Sequence, residues 1–404
     1  MIDDGPVRAL LLEGIHPDAA ARLASDGYQV ETLGRALDED ELIGRIGDVH
    51  LLGVRSKTKV TAAAIAAAPH LQAIGAFCIG TDQVDLATAS SAGVAVFNAP
   101  FSNTRSVVEL ALAEIIALTR RLTEKNAGMH AGIWDKAAEG SHEVRGRNLG
   151  IVGYGNIGTQ LSVLAEALGM RVYFYDTADR LALGNARRCT SLDELLAVAD
   201  VVTLHVDGRA GNSGFFGDDQ FARMRRNSLF LNLSRGFVID HAALRRHLDS
   251  GHLAGAAVDV FPTEPKARGD EFRSELRGLP NVILTPHIGG STEEAQADIG
   301  NFVADKLARY VGEGATTLSV NLPPLALPQQ PGTHRLAHLH HNVPGVLAAV
   351  NSVLAEHAVN IEGQLLGTRG EYGYLLTDIG IDYAEEVLKR LRAMSQTVRL
   401  RVLS

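Results

Sequence analysis

The chain has 404 residues, too many for one ordinary hydrophobic core, so two or three domains are expected. Apolar residues make up 46% and charged residues 21%, an ordinary globular balance, and the net charge of −9 speaks against nucleic acid or an anionic membrane as partner. Cys78 and Cys189 give no disulfide framework and no metal spacing, the start Met-Ile-Asp-Asp is unlike a secretory signal, and the most apolar stretch, 107–118, is interrupted by Glu109 and Glu114, so a cytoplasmic protein is expected.

The first hundred residues alternate short apolar runs with helical patterns. Strands are predicted over 7–12, 50–54, 73–75 and 95–97, and helices over 18–25, 61–68 and 86–92. Strands separated by such helices imply βαβ units and a parallel sheet. Past Ala99-Pro100-Phe101-Ser102-Asn103 one long helix is predicted over 104–123, suited to bridging two domains. A second, more apolar series predicts strands over 149–152, 171–175, 201–205, 229–233, 255–259 and 282–285, a six-stranded dinucleotide-binding sheet. A helix over 292–311 then returns to the first domain. Pro323, Pro324, Pro328 and Pro331-Gly332 read as a linker. From His334 the order is strand, helix 344–357, strands 359–367 and 372–380, helix 384–394 and strand 398–403, a ferredoxin-like βαββαβ domain.

Directly after the strand at 149–152 comes Gly153-Tyr-Gly155-Asn156-Ile157-Gly158, a G-x-G-x-x-G opening a helix. Gly153 permits the tight turn, Gly155 lets the backbone approach a pyrophosphate, and Gly158 lets helix and strand pack closely. The helix N-terminal amides face the phosphates. Asp176 closes the next strand, placed to bond the adenosine ribose and to repel a 2′-phosphate, so NAD is the expected cofactor rather than NADP.

Three short motifs follow at the carboxyl ends of later strands, where open α/β sheets bind ligands. Asn232-Leu-Ser-Arg235-Gly236, Asp259-Val-Phe-Pro-Thr-Glu264-Pro265 and Thr285-Pro-His287-Ile-Gly-Gly supply an arginine, a carboxylate and a histidine. Oxidation of a 2-hydroxy acid needs that set. Arg235 can clamp the substrate carboxylate in a bidentate fork. His287 can take the hydroxyl proton as hydride leaves C2, and Glu264 can fix its tautomer.

The order GYGNIG, YD, SRG, DVFPTEP, TPHIGGST resembles the D-isomer-specific 2-hydroxyacid dehydrogenase family. Val54-Arg-Ser-Lys-Thr58, Phe77-Cys-Ile-Gly-Thr-Asp82, the run from Phe97 to Ser106 and Gly132-Ile-Trp-Asp-Lys136 are similar to its branch acting on D-3-phosphoglycerate, in the short form with one C-terminal ACT domain. The resemblance implies a dinucleotide-binding domain over 103–289 inserted in a flavodoxin-like α/β substrate domain of 1–102 and 290–331, followed by an ACT domain over 332–404. It implies Arg235, Glu264 and His287 as catalytic residues, Arg55, Ser56 and Asn103 as substrate positions, and His205 and Asp259 on the cofactor side. The implied reaction is NAD-dependent formation of 3-phosphohydroxypyruvate, the first step of phosphorylated L-serine synthesis, in a homotetramer. The loop Asp207-Gly-Arg-Ala-Gly-Asn-Ser-Gly214 departs from the proline and threonine usual in relatives. A dehydrogenase for lactate, glycerate or another 2-oxo acid would use the same machinery, and an NAD-sensing corepressor would keep the same residues.

The tail opens with four histidines in His334-Arg-Leu-Ala-His338-Leu-His340-His341. Strand alternation puts His338 and His340 on one face and His341 on the other. No further ligand pattern accompanies them, so no metal is expected. The resemblance instead implies an L-serine site between paired ACT domains, with His340, Asn342 and Asn360 as effector positions. Gly345 would let the helix N-terminus approach a carboxylate.

Overall fold

A computed structural model describes residues 5–265, 269–328, 330–381 and 383–403; the acidic start read above lies outside them. The chain forms two compact units, one of residues up to Ser102 with those from Gln296 onward, the other of Asn103–Ala295.

In the first unit β1 (Arg8–Leu11), β2 (Gln29–Thr32), β3 (Leu51–Val54), β4 (Ala73–Ala76) and β5 (Ala95–Asn98) make a parallel sheet in the order β2-β1-β3-β4-β5. That is the flavodoxin-like order. β3, β4 and β5 are buried throughout, which is why each reads as an unbroken apolar run. β2 carried no such signal, because Gln29, Glu31 and Thr32 of this edge strand are exposed. The helices between strands start on side-chain caps: Asp38, Thr61 and Asp85 each accept a backbone N–H three residues on.

The second unit holds β6 (Asn148–Val152), β7 (Arg171–Tyr175), β8 (Arg187–Arg188), β9 (Val201–Leu204), β10 (Ser228–Asn232), β11 (Leu253–Val258) and β12 (Val282–Leu284). All pair in parallel, in the order β12-β11-β10-β9-β6-β7-β8. The sheet has seven strands instead of six; β8 is two arginines on the rim of β7, too short to show a period. The helix predicted over 104–123 is broken in two. Thr104–Thr119 ends before Arg121, which adopts φ 48° and is held there by Glu124 at 2.6 Å, and Leu122–His130 follows.

In the C-terminal part of the first unit β13 (Thr333–His341), β14 (Ile361–Arg369), β15 (Tyr372–Gly380) and β16 (Thr397–Leu403) form an antiparallel sheet in the order β14-β15-β13-β16. This is the expected ferredoxin-like arrangement. One face packs Leu336, Leu375 and Ile379 under the Val346–Glu356 and Glu385–Ala393 helices. The other face joins the first sheet's core, where Ala337, Leu339, Tyr374 and Leu376 pack with Phe97, Leu307 and Tyr310.

The first part of the proline-rich stretch read as a linker, 322–328, is tied to its surroundings, while residues 330–332 are exposed. Thr316 donates to the Pro323 carbonyl at 2.7 Å and accepts the Leu325 N–H at 2.9 Å, and Leu322 is buried. Arg335, 1% exposed, uses all five of its N–H groups: two on Asp378, and three on the carbonyls of Glu313, Leu327 and Pro328. Among the described residues no helix is long and apolar enough to cross a membrane.

Candidate active site

Three glycines fit the roles read from the fingerprint. Gly153 has φ +93°, and a Cβ there would lie 2.5 Å from the His205 carbonyl. A Cβ on Gly158 would lie 2.3 Å from the Gly153 carbonyl, so helix Asn156–Ala167 can sit against β6 only without one. A Cβ on Gly155 would meet nothing within 4 Å. That open side, at the head of a helix whose first residues are Asn156 and Ile157, suits a pyrophosphate, so the residues fit the expected dinucleotide.

Asp176 stands at the end of β7 with its carboxylate accepting the N–H groups of Tyr154 and Ala178, both at 2.8 Å, and with Arg180 3.6 Å away. It therefore ties the fingerprint turn to the second strand. Tyr154 and Arg180, unremarked in the sequence, line one cavity of about 290 Å³ with Gly155, Asn156 and Thr159. His205 follows β9; its Nε2 lies 3.0 Å from Thr203 Oγ1, and burial pushes its pKa down to about 4, so the ring is neutral. In the loop beyond, Asp207 binds the Arg209 side chain at 2.7 Å and Asn212 at 2.9 Å.

The three catalytic candidates converge. A Cβ on Gly236 would fall 2.0 Å from the Phe261 carbonyl carbon, so the Ser-Arg-Gly turn lies directly against the backbone leading to Glu264. Glu264 accepts the Phe261 N–H at 3.1 Å and holds His287 Nδ1 at 2.9 Å. The bond to Glu264 raises the His287 pKa against the opposing effect of burial, with Asp259 adding and Arg235 subtracting. Burial would raise Glu264, but the His287 bond, the Phe261 amide and Arg235 outweigh it and hold the carboxylate below its usual range. The imidazole's Nδ1–H thus faces the carboxylate and leaves Nε2 for proton transfer.

His287 itself adopts φ 54° in a turn organised by Asp259. The Asp259 carbonyl accepts the His287 N–H at 2.8 Å. Its buried carboxylate accepts Thr285 Oγ1 at 2.6 Å, Ile288 N at 2.9 Å and Gly289 N at 2.8 Å. Thr285, absent from the sequence-level set, could have been found as the first residue of Thr-Pro-His. Asn103 precedes helix Thr104–Thr119 in the same unit, and a Cβ on Gly290 would lie 2.2 Å from its Nδ2, so glycine there makes room for it. Arg55 and Ser56 lie in the first unit, immediately after β3, and the Arg55 carbonyl accepts the Gln83 amide.

In the C-terminal sheet His338 and His340 are buried with rings 5.3 Å apart, while His341 stacks on Tyr372. His338 Nε2 meets Thr397 Oγ1 at 2.8 Å, and His340 Nδ1 meets the His341 carbonyl at 2.9 Å. Burial lowers the pKa of both, His338 to about 4. Asn342 donates to the Gly370 carbonyl at 3.2 Å, and Asn360 to Glu362 at 2.8 Å. Register levels His340 with Gly373 and Thr368, and Ile361 with Ile379 and His334. Asn360 is therefore roughly 20 Å along the strands from His340, and one chain does not bring the three effector positions together.

Residues 112–289 match the NAD-binding domain of D-isomer specific 2-hydroxyacid dehydrogenases, and residues 336–399 match an ACT domain of the AHAS small-subunit type. The D-3-phosphoglycerate dehydrogenase of Escherichia coli K12 is 49% identical over 405 residues, covering 100% of this chain and 98% of the relative. That of Dictyostelium discoideum is 48% identical over 397 residues, covering 98% and 97%. Among solved structures, D-2-hydroxyisocaproate dehydrogenase superposes with a TM-score of 0.71 at 25% identity, covering 78% of this chain and 100% of that one. An Aquifex aeolicus D-lactate dehydrogenase complexed with NAD and lactic acid gives a TM-score of 0.65 at 26% identity, covering 75% and 95%. With the fingerprint, the three motifs and the terminal sheet all in place, the chain belongs to the D-isomer-specific 2-hydroxyacid dehydrogenase family, among its D-3-phosphoglycerate dehydrogenases, and is an NAD-dependent oxidoreductase.

Proposed function

We propose that the chain oxidises D-3-phosphoglycerate to 3-phosphohydroxypyruvate, the entry step of phosphorylated L-serine synthesis, as a cytoplasmic homotetramer. The observation that carries this reading is the 2.9 Å bond between Glu264 and His287 beside the Arg235 turn, in a chain whose relatives bear that activity in their names. When bound, NAD supplies the hydride acceptor. Gly153, Gly155, Asn156, Ile157 and Gly158 would hold its pyrophosphate side, with Asp176, His205 and Asp259 as the further cofactor positions.

Arg235 binds the substrate carboxylate and polarises the C2 oxygen. His287 Nε2 takes the C2 hydroxyl proton as the C2 hydride departs, and Glu264 stabilises the resulting imidazolium through Nδ1. Arg55, Ser56 and Asn103 complete the substrate set. The domain reading accompanies this: a substrate domain of 1–102 and 290–331, an NAD-binding domain of 103–289 and a regulatory ACT domain of 332–404. Within the last, His340, Asn342 and Asn360 are assigned to L-serine feedback. Gly345, at φ 90°, opens the Val346–Glu356 helix, and the separation of Asn360 from His340 suits a site completed by a second, paired domain.

The test follows NADH absorbance with D-3-phosphoglycerate, D-lactate and D-glycerate, each with and without L-serine. The expected result is the highest kcat/KM for phosphoglycerate and inhibition by serine. A higher value for lactate would overturn the substrate, and serine that neither binds nor inhibits would overturn the effector site.

A further inference from the structure

Glu114 has no part in the roles above. It lies on helix Thr104–Thr119, is 3% exposed, and neither carboxylate oxygen has a hydrogen-bond partner among the described residues. A carboxylate so placed is driven to its neutral form, because burial without partners disfavours charge. Burial, and secondarily the charge of Asp259, push its pKa up to about 8.

Its helix runs along the catalytic turn. Val107 and Leu110 precede Glu114 by seven and four residues, spacings that share one helix face. Their side chains lie 3.6 and 3.8 Å from the point where a Gly289 side chain would begin, and that same point is 2.9 Å from Asp259 Oδ2. The charged groups on the packed neighbours are ion-paired, hydrogen-bonded or, like His130 at the end of Leu122–His130, exposed. β10, β11 and β12 contain no ionisable residue. Glu124 pairs with Arg121, Lys125 with Asp135, Arg105 with Glu109, and Glu166 accepts the Asn185 N–H. Asp259 is the charged group that acts on Glu114.

We propose that Glu114 is a positioning residue: it stays protonated behind Asp259 so that a single negative charge holds the His287 turn, and its ionisation sets the alkaline limit of activity. A second anion there would repel Asp259, whose three accepted hydrogen bonds and one carbonyl bond keep His287 at φ 54°. A left-handed conformation at a non-glycine residue persists only when surrounding bonds enforce it.

The experiment is the pH profile of kcat/KM for the full chain and for Glu114→Gln, each scaled to its own plateau. Glutamine keeps the size and cannot ionise. The wild type should give a bell, and the variant should keep the acid limb and lose the alkaline one, a difference of roughly tenfold one pH unit beyond the wild-type break. Superimposable profiles would overturn the proposal. Should the variant not fold, infrared difference spectra of the wild type decide: a protonated-carboxyl band must fade as pH rises through about 8, and its absence at neutral pH overturns the proposal equally. The inference rests on His287 as the proton carrier. If His287→Asn stays active, the proton-carrier role fails and the inference with it; if His287→Asn is inactive while the Glu114→Gln profile superimposes on the wild type, the inference alone fails.

Discussion

In the proposed mechanism His287 carries the proton, and it adopts an uncommon backbone angle that its neighbours divide the labour of holding. Asp259 fixes the turn and Glu264 fixes the ring. Replacing His287 with Asn is expected to lower kcat by about 10²–10⁴-fold, the usual worth of general acid–base transfer, with little change in NADH affinity by fluorescence titration. The raised His287 pKa places the acid limb of hydroxy-acid oxidation above the ordinary imidazole range, since oxidation needs the neutral ring. Glu264→Gln removes the first cause of that rise, so the limb should move to lower pH while the plateau falls; an unmoved limb in initial rates would refute the coupling. The motifs made Arg235, Glu264 and His287 legible because they are polar residues at strand ends. Glu114 showed only as an interruption of an apolar run, since a buried charge type has no sequence signature distinguishing it from a solvated one. Its pKa, raised from 4.5 to about 8, means the folded state keeps a proton that the unfolded chain has lost within that window. Wild-type stability therefore falls as pH rises through it, and Glu114→Gln should gain on the wild type more at pH about 9 than at about 5 in urea unfolding.

At the scale of elements, the fingerprint separates two kinds of glycine. Gly158→Ala forces the Asn156–Ala167 helix away from β6, so both Tm and NADH affinity should fall. Gly155→Ala meets only open space; Tm should hold while affinity drops, because the added methyl occupies the ligand's side. Equal effects on Tm would refute that distinction. Buried strands were readable from their apolar runs and the longer helices from their periodicity, whereas the five-residue helix Glu39–Ile43 is too short to show one. β2 and β8 were not, because edge strands bury little and a two-residue strand has no period. The long helix was read through Arg121 because a left-handed residue stabilised by an ion pair three residues on lacks the glycine or proline that usually announces a break.

At the scale of the whole chain, composition and element order indicated the α/β class and the terminal antiparallel sheet, but not that one face of that sheet shares a core with the first. Its anchor is Arg335 with Asp378, both effectively out of water. Asp378→Asn would strand a buried guanidinium and should cost about 3–5 kcal/mol in denaturant unfolding; a cost below about 1 kcal/mol would mean the carbonyl bonds alone suffice. Prolines made residues 323–332 look like a tether with the statistics of a free polymer. Its first half is instead held by Thr316 and Arg335, which bond the carbonyls of Pro323, Leu325, Leu327 and Pro328, while Thr317 and Leu318 just before it are exposed. Covalent continuity and mechanical continuity are therefore separate properties here: a protease cutting at Thr317-Leu318 would leave two fragments travelling as one particle on a native gel, and they would part only once denaturant dissolved the core they share.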